Sequence, residues 1–304
     1  MESEFFRWLE GRLPAHPRVP IGPGDDAALI RLAAGGETLV TVDMISDGVD
    51  FDLSTTSPRR IGHKALAINL SDLAAMAARP LAAVVALALP RKNALPLAQE
   101  LYEGLLPLAE RYGVAIAGGD LQTWDGPLVI SVTLLGEATA RGPLLRRGAL
   151  PGDLIVVTGS FGGSILGKHL DCEPRVNEAL RLHERYQLHA GMDVSDGLSL
   201  DLSRLCEASR CGAVLEVDRV PISEAAHQLA AAGMDQQTAL DRALSDGEDF
   251  ELLLAVPPED AKRVLREQPL EIPVSIIGRF VAEPGLWASN AGGTRVLTPR
   301  GYEH

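Results

Sequence analysis

Six short segments each set a carboxylate among glycine, serine or threonine: Gly24-Asp25-Asp26, Thr41-Val42-Asp43, Asn69-Leu70-Ser71-Asp72, Gly118-Gly119-Asp120, Asp193-Val194-Ser195-Asp196-Gly197 and Asp246-Gly247-Glu248-Asp249. One such segment is ordinary turn or capping chemistry. The whole series is harder to assign that way, because several members lie in apolar sequence where an unpaired charge is costly. Oxygen donors without histidine or thiolate suit magnesium, a hard cation held by carboxylates together with waters and substrate phosphates.

A second motif competes for a phosphate. Gly162 to Lys168 reads G-x-x-x-x-G-K behind an expected strand, as a phosphate-binding loop would. Such a loop requires serine or threonine next, to hold magnesium, and the next residue is His169. The segment is therefore read as a glycine-rich strand-to-helix turn, with Lys168 solvated.

The elements that must carry these segments follow from periodicity and punctuation. Phe5, Phe6, Leu9 and Leu13 recur at helical spacing and predict a short opening helix. Strands are expected at 37–43 and 80–90, around a helix that Ser57-Pro58 starts, since serine caps and proline is tolerated at the first helical position. A helix over 95–112 and strands over 114–117 and 128–137 complete a first α/β domain. Turn formers at 147–153 mark a boundary, which gives domains 1–147 and 148–304. The second is expected to hold strands at 154–158, 213–217, 250–256 and 274–279. Its expected helices are 163–170, 196–208, 224–232, 236–244 and 258–267, with a polar stretch around Pro174.

Composition narrows the class. The 304 residues carry 41 acidic and 28 basic side chains, a net charge of −13, which argues against binding along a nucleic-acid backbone. A hydrophobic share of 46% supplies packed cores and excludes a disordered tail, while 4% aromatic residues offer few stacking platforms for bases. The longest apolar run, Leu81 to Leu89, falls well short of the roughly 20 residues of a membrane span. The start lacks a basic n-region, so a soluble, cytoplasmic protein with no membrane partner is expected. Cys172, Cys206 and Cys211 lack C-x-x-C spacing and are expected to be reduced, with no disulfide.

Taken in order, the segments resemble the thiamine-monophosphate kinases across nearly the whole chain. The resemblance rests on Gly22-x-Gly24-Asp25-Asp26-Ala27-Ala28, on the run from Lys64 to Met76, on Gly118-Gly119-Asp120, on Asp193-Val194-Ser195-Asp196-Gly197-Leu198 with Asp201-Leu202, on Gly247 to Leu252, and on the ending Gly301-Tyr302-Glu303-His304. It implies a two-domain α/β (mixed α+β) fold like that of aminoimidazole ribonucleotide synthetase, with ATP between the domains and the N-terminal domain pairing in a homodimer. The implied reaction is direct phosphoryl transfer from ATP to thiamine phosphate, giving thiamine diphosphate. Position by position, Asp26, Thr41, Val42 (through its backbone), Asp43, Asp72, Asp120, Asp193 and Asp196 are implied to hold several Mg2+ ions. Asp72, Asp120 and Asp196 would act catalytically through that metal. Gly119, Asp120, Arg146 and Ser195 match ATP-contacting positions, and Asp50, Glu248 and Tyr302 match positions facing thiamine phosphate. The nucleophile would be a phosphate oxygen already ionised at neutral pH, so catalysis reduces to alignment and charge neutralisation.

Four departures from the family pattern stand out. Asp50 replaces a histidine, Val42 and Leu121 replace threonines, and Asp246 replaces the first glycine of Gly-Gly-Glu-Asp. Asp50 matters most, because two bare charges about 4 Å apart repel by roughly 4 kcal/mol at an effective dielectric near 20. Asp50 is therefore expected to turn away or to bind a cation. The alternatives are another ATP-dependent member of the superfamily with a different acceptor, or a non-catalytic nucleotide-binding paralogue. Selenophosphate synthesis would need a reactive residue near the N-terminus, whereas the first cysteine is Cys172. The hydrogenase-maturation relatives end in cysteine, whereas this chain ends in His304.

Overall fold

The computed structural model describes residues 19–21, 25–31, 37–233 and 235–302. The helix expected around Phe5 to Leu13, the glycines Gly22 and Gly24, and the terminal Glu303-His304 lie outside the described residues.

The first half builds a five-stranded sheet from β1 (Ala28–Arg31), β2 (Glu37–Ser46), β3 (Arg79–Pro90), β4 (Ala115–Trp124) and β5 (Val129–Glu137), in the order β1-β2-β5-β3-β4. Neighbours are antiparallel except β3 and β4. Two helices, α1 (Pro58–Ala75) and α2 (Ala94–Tyr112), belong to this half. Gly62 and Gly104 let them cross closely: a Cβ on either would fall within 2 Å of a backbone oxygen of the other helix.

The second half is a seven-stranded mixed sheet. Its strands are β6 (Leu154–Thr158), β7 (Ala190–Asp193), β8 (Gly212–Glu216), β9 (Leu252–Val256), β10 (Val274–Val281), β11 (Gly285–Asn290) and β12 (Gly293–Val296), in the order β12-β11-β8-β10-β6-β9-β7. Its helices are α3 (Val176–Arg185), α4 (Leu198–Ser209), α5 (Glu224–Ala232), α6 (Ala239–Ser245) and α7 (Pro258–Glu267). Helix α1 is buried over most of its length, Lys64, Asn69 and Ser71 included, and packs against β2 and β5 as well as α3, β7 and β9. Among the described residues no helix is long and apolar enough to cross a membrane. The three cysteines are free and buried, as expected.

Several elements differ from expectation. The segment 163–170 forms only a 3-10 turn at Ser164–Leu166, because Gly162 and Gly163, both at positive φ, pack against the backbones of α6 and α5 and leave no room for a regular first turn. The polar stretch around Pro174 contains α3, whose Val176, Ala179, Leu182 and His183 are buried at helical spacing. The strand expected at 114–117 runs on to Trp124, so Gly118-Gly119-Asp120 lies within β4 rather than in a turn. Strands β1, β7, β11 and β12, three of them only four residues long, escaped the sequence reading.

Candidate functional site

A cleft of about 840 Å³ lies between the two halves. Its floor is α1: Lys64, Ile68 and Asp72, four residues apart, share one helix face and all line it. One wall comes from the start of β1 and from β2, the other from the loop after β7 and the loop before β9, with Arg146 entering from the connection between the sheets.

Strand alternation sorts the residues of β2. Leu39, Thr41 and Ile45 are buried and share a face with Asp43, whereas Val42 and Met44 point to the other face and are 59% and 68% exposed. Thr41 Oγ1 donates to Asp72 Oδ2 at 2.5 Å. The Val42 side chain therefore lies on the opposite sheet face from Thr41 and Asp43.

Carboxylate oxygens of Asp26, Asp72 and Asp193 lie within 4.8 Å of one another. Burial pushes the Asp72 carboxyl well above its usual range, reinforced by the charges of Asp43, Asp193 and Asp26 and opposed by the Thr41 hydroxyl. Asp193 is raised in the same way, by burial and then by Asp26, although Ser71 Oγ donates to it at 2.5 Å. Arg146 supplies part of the missing positive charge: its fork holds Asp26 through Nε at 3.0 Å and Nη2 at 2.7 Å, and its backbone N–H donates to Asp25. Burial nevertheless lifts Asp25 to about 6. Clustered oxygens whose ionisation the surrounding protein opposes are the donor set that a hard divalent cation relieves, so the residues fit magnesium.

Beyond β7, Asp196 pairs with the Arg204 guanidinium, and Asp201 Oδ2 accepts from the backbone N–H groups of Asp196 and Gly197 at 2.9 and 3.1 Å. The loop before β9 zips onto this one: Glu248 N donates to Ser195 O at 2.6 Å and Phe250 N to Val194 O at 2.8 Å. Both Glu248 and Phe250 adopt positive φ, a conformation that costs energy for any residue but glycine, and these bonds hold them there. Glu248 is thereby aimed across the cleft at Lys64, 2.5 Å away. Tyr302 N donates to Asp196 O at 2.9 Å and places the C-terminal tail on the cleft rim.

Asp50 turns toward its own loop, where its carboxylate accepts from Ser46 N at 2.7 Å while its carbonyl receives Lys64 Nζ at 3.0 Å. Of the residues matched to ATP, Arg146 and Ser195 line the cleft, but Gly119 and Asp120 do not. They stand exposed on the edge strand β4, separated from β2 by β5 and β3 and hence by about 14 Å at normal strand spacing.

Lys168 is only partly solvated and does not line the cleft. Its ammonium reaches Ser160 O and Glu251 Oε1, both at 3.0 Å, and Asp249 Oδ1 at 3.5 Å. Asp249 and Glu251 thus lie beneath the cleft, where Asp249 accepts from Gly162 N and Glu251 is held by Arg175 and Thr158. Sequence reasoning gave no role to Lys64, Arg204 or Asp201. The available signals were a lysine in an otherwise apolar helix stretch eight residues before Asp72, and an acid and a base at i and i+3 behind Asp196.

Comparison with known proteins places this arrangement. Residues 24–138 match the family of the AIR synthase related protein, N-terminal domain, and residues 151–287 its C-terminal domain. The thiamine-monophosphate kinase of Rhodopirellula baltica is 48% identical over 313 residues, covering 100% of this chain and 97% of the relative. That of Bacillus subtilis is 33% identical, covering 100% and 99%. The solved complex of AaThiL with AMPPCP and TMP superposes with a TM-score of 0.83 at 25% identity, covering 100% of this chain and 95% of that one. With both domain families matched in order and similarity of this extent over its whole length, the chain belongs to the thiamine-monophosphate kinase family of AIR synthase related proteins.

Proposed function

We propose that the cleft transfers the terminal phosphoryl group of ATP directly to thiamine phosphate, giving thiamine diphosphate. The observation that carries this reading is the Asp26–Asp72–Asp193 cluster at one end of the α1 face that continues to Lys64 beside Asp50 and Glu248. Magnesium ions held by these three carboxylates, with Thr41, the Val42 backbone, Asp43, Asp120 and Asp196 as further ligands, would supply the positive charge that phosphoryl transfer demands.

The chain's own residues do the rest. Arg146 presents a planar donor fork suited to phosphate oxygens, here closed on Asp26. Ser195 and Glu248 line the cleft, and Tyr302 with Ile165 offers aromatic and apolar surface there for the rings of the acceptor. No histidine lines the cleft among the described residues, and none is needed, because the attacking oxygen is already ionised.

Gly119 and Asp120 enter this scheme through a homodimer. The sheet face opposite α1 exposes Val42, Met44 and Val84, an apolar stripe on the same sheet as the edge strand that carries both residues. A second copy packed there covers the stripe and delivers the partner's Asp120 to the metal end of the cleft.

Purified protein is expected to convert thiamine phosphate to thiamine diphosphate with ATP and magnesium and to stop when EDTA is in excess. Turnover that persists under chelation, or no diphosphate with any divalent metal, rejects the reading.

A further inference from the structure

Lys64 has 1% of its side chain exposed, yet it lines the cleft. An ammonium in such a place must be paired and hydrogen-bonded, and it carries three donors. Two are committed, one to the Asp50 carbonyl and one to Glu248 Oε1. Among the described residues no third acceptor engages it, which leaves one charged donor for a group in the cleft.

The neighbours do not duplicate it. Asp50 has turned its carboxylate to Ser46 N, while Asp246 and Glu248 add negative charge. Arg242, the other cation at this end, has its terminal nitrogens drawn to Asp235 at 2.5 Å and Asp246 at 3.6 Å. Lys64 also stands two helical turns from Asp72 on the same face, so their Cα atoms are about 12 Å apart along the axis. Lys64 and Asp72 thus face different ends of one stretch of the cleft floor.

We propose that Lys64 binds the phosphate of the phosphomonoester acceptor, its ammonium held in place by the Asp50 carbonyl and the Glu248 carboxylate, and that it supplies the cationic contact Asp50 cannot make. This rests on thiamine phosphate as the acceptor.

The test compares binding of thiamine phosphate and of thiamine by calorimetry, with magnesium and a non-hydrolysable ATP analogue present. Wild-type protein should favour the phosphorylated ligand, and Lys64→Met should cut that preference by about 10- to 100-fold, the scale of a lost hydrogen bond to a charged group. Thiamine itself should bind nearly unchanged, an outcome that a purely structural loss would not produce. If Lys64→Met fails to fold because Glu248 is left unpaired, Lys64→Met with Glu248→Gln is compared with Glu248→Gln alone, and the loss of phosphate preference between those two variants carries the readout. A folded variant that keeps the wild-type preference overturns the role of Lys64. Wild-type protein that neither discriminates between the ligands nor forms thiamine diphosphate overturns the acceptor reading instead, and the role of Lys64 with it.

Discussion

Two carboxylate groups of similar burial behave oppositely, and the difference separates structure from function. Burial raises Glu251, but hydrogen bonds from Arg175 and the charges of Lys168 and Arg175 outweigh it and hold the group below its usual range. Asp72 and Asp193 meet mostly like charges and are pushed up. The first is a satisfied ion pair, the second a pair still short of positive charge. Asp50 lines the cleft with its carboxylate bonded to Ser46 N. Asp50→Asn keeps an oxygen for that bond and removes the charge, so the KM for thiamine phosphate should fall severalfold while that for ATP stays constant. A rise in the thiamine phosphate KM would show that the charge itself assists binding, through a cation or through a positively charged part of the ligand.

At the scale of elements, the start and the carboxylate of α1 were legible because both follow local rules: proline at the first turn, and an aspartate set in a largely apolar stretch. Its N-cap Ser57 makes no side-chain cap bond, so the start rests on proline and packing rather than on capping. The Gly162 to Lys168 segment was legible as a turn and illegible as a contact, because the carboxylates that claim Lys168 lie more than 80 residues further along the chain. Strand β7 was missed since its four residues are buried on both faces and show no alternation. Lys168→Ala tests the corrected placement. It removes one of two cations from Glu251 and should lower stability by about 1.5–3 kcal/mol, read as a lower Tm. The KM for ATP should be unchanged in the folded variant, whereas a phosphate-binding lysine would raise it sharply.

The whole molecule is two sheets clasping one buried helix, with the cleft where their loops meet. What a single chain could not reveal from its sequence is which copy serves which site, since spacing along the chain is silent about a second subunit. Asp120, on the far edge strand, makes the question testable. Asp72→Asn and Asp120→Asn should each reduce turnover by about two orders of magnitude, as expected for loss of a preorganised electrostatic contact. If each cleft takes Asp120 from its partner, a mixed dimer holds one cleft with both residues intact and one with neither. Random re-pairing of equal amounts makes half the dimers mixed, so the mixture should recover about a quarter of wild-type activity in a two-fold dimer. If each chain supplies its own Asp120, every cleft in the mixture stays defective and activity remains at the level of the separate variants. Size-exclusion chromatography of Met44→Asp with Val84→Asp provides the control: charges placed on the exposed apolar stripe should give monomers, and with them the loss of any recovery on mixing.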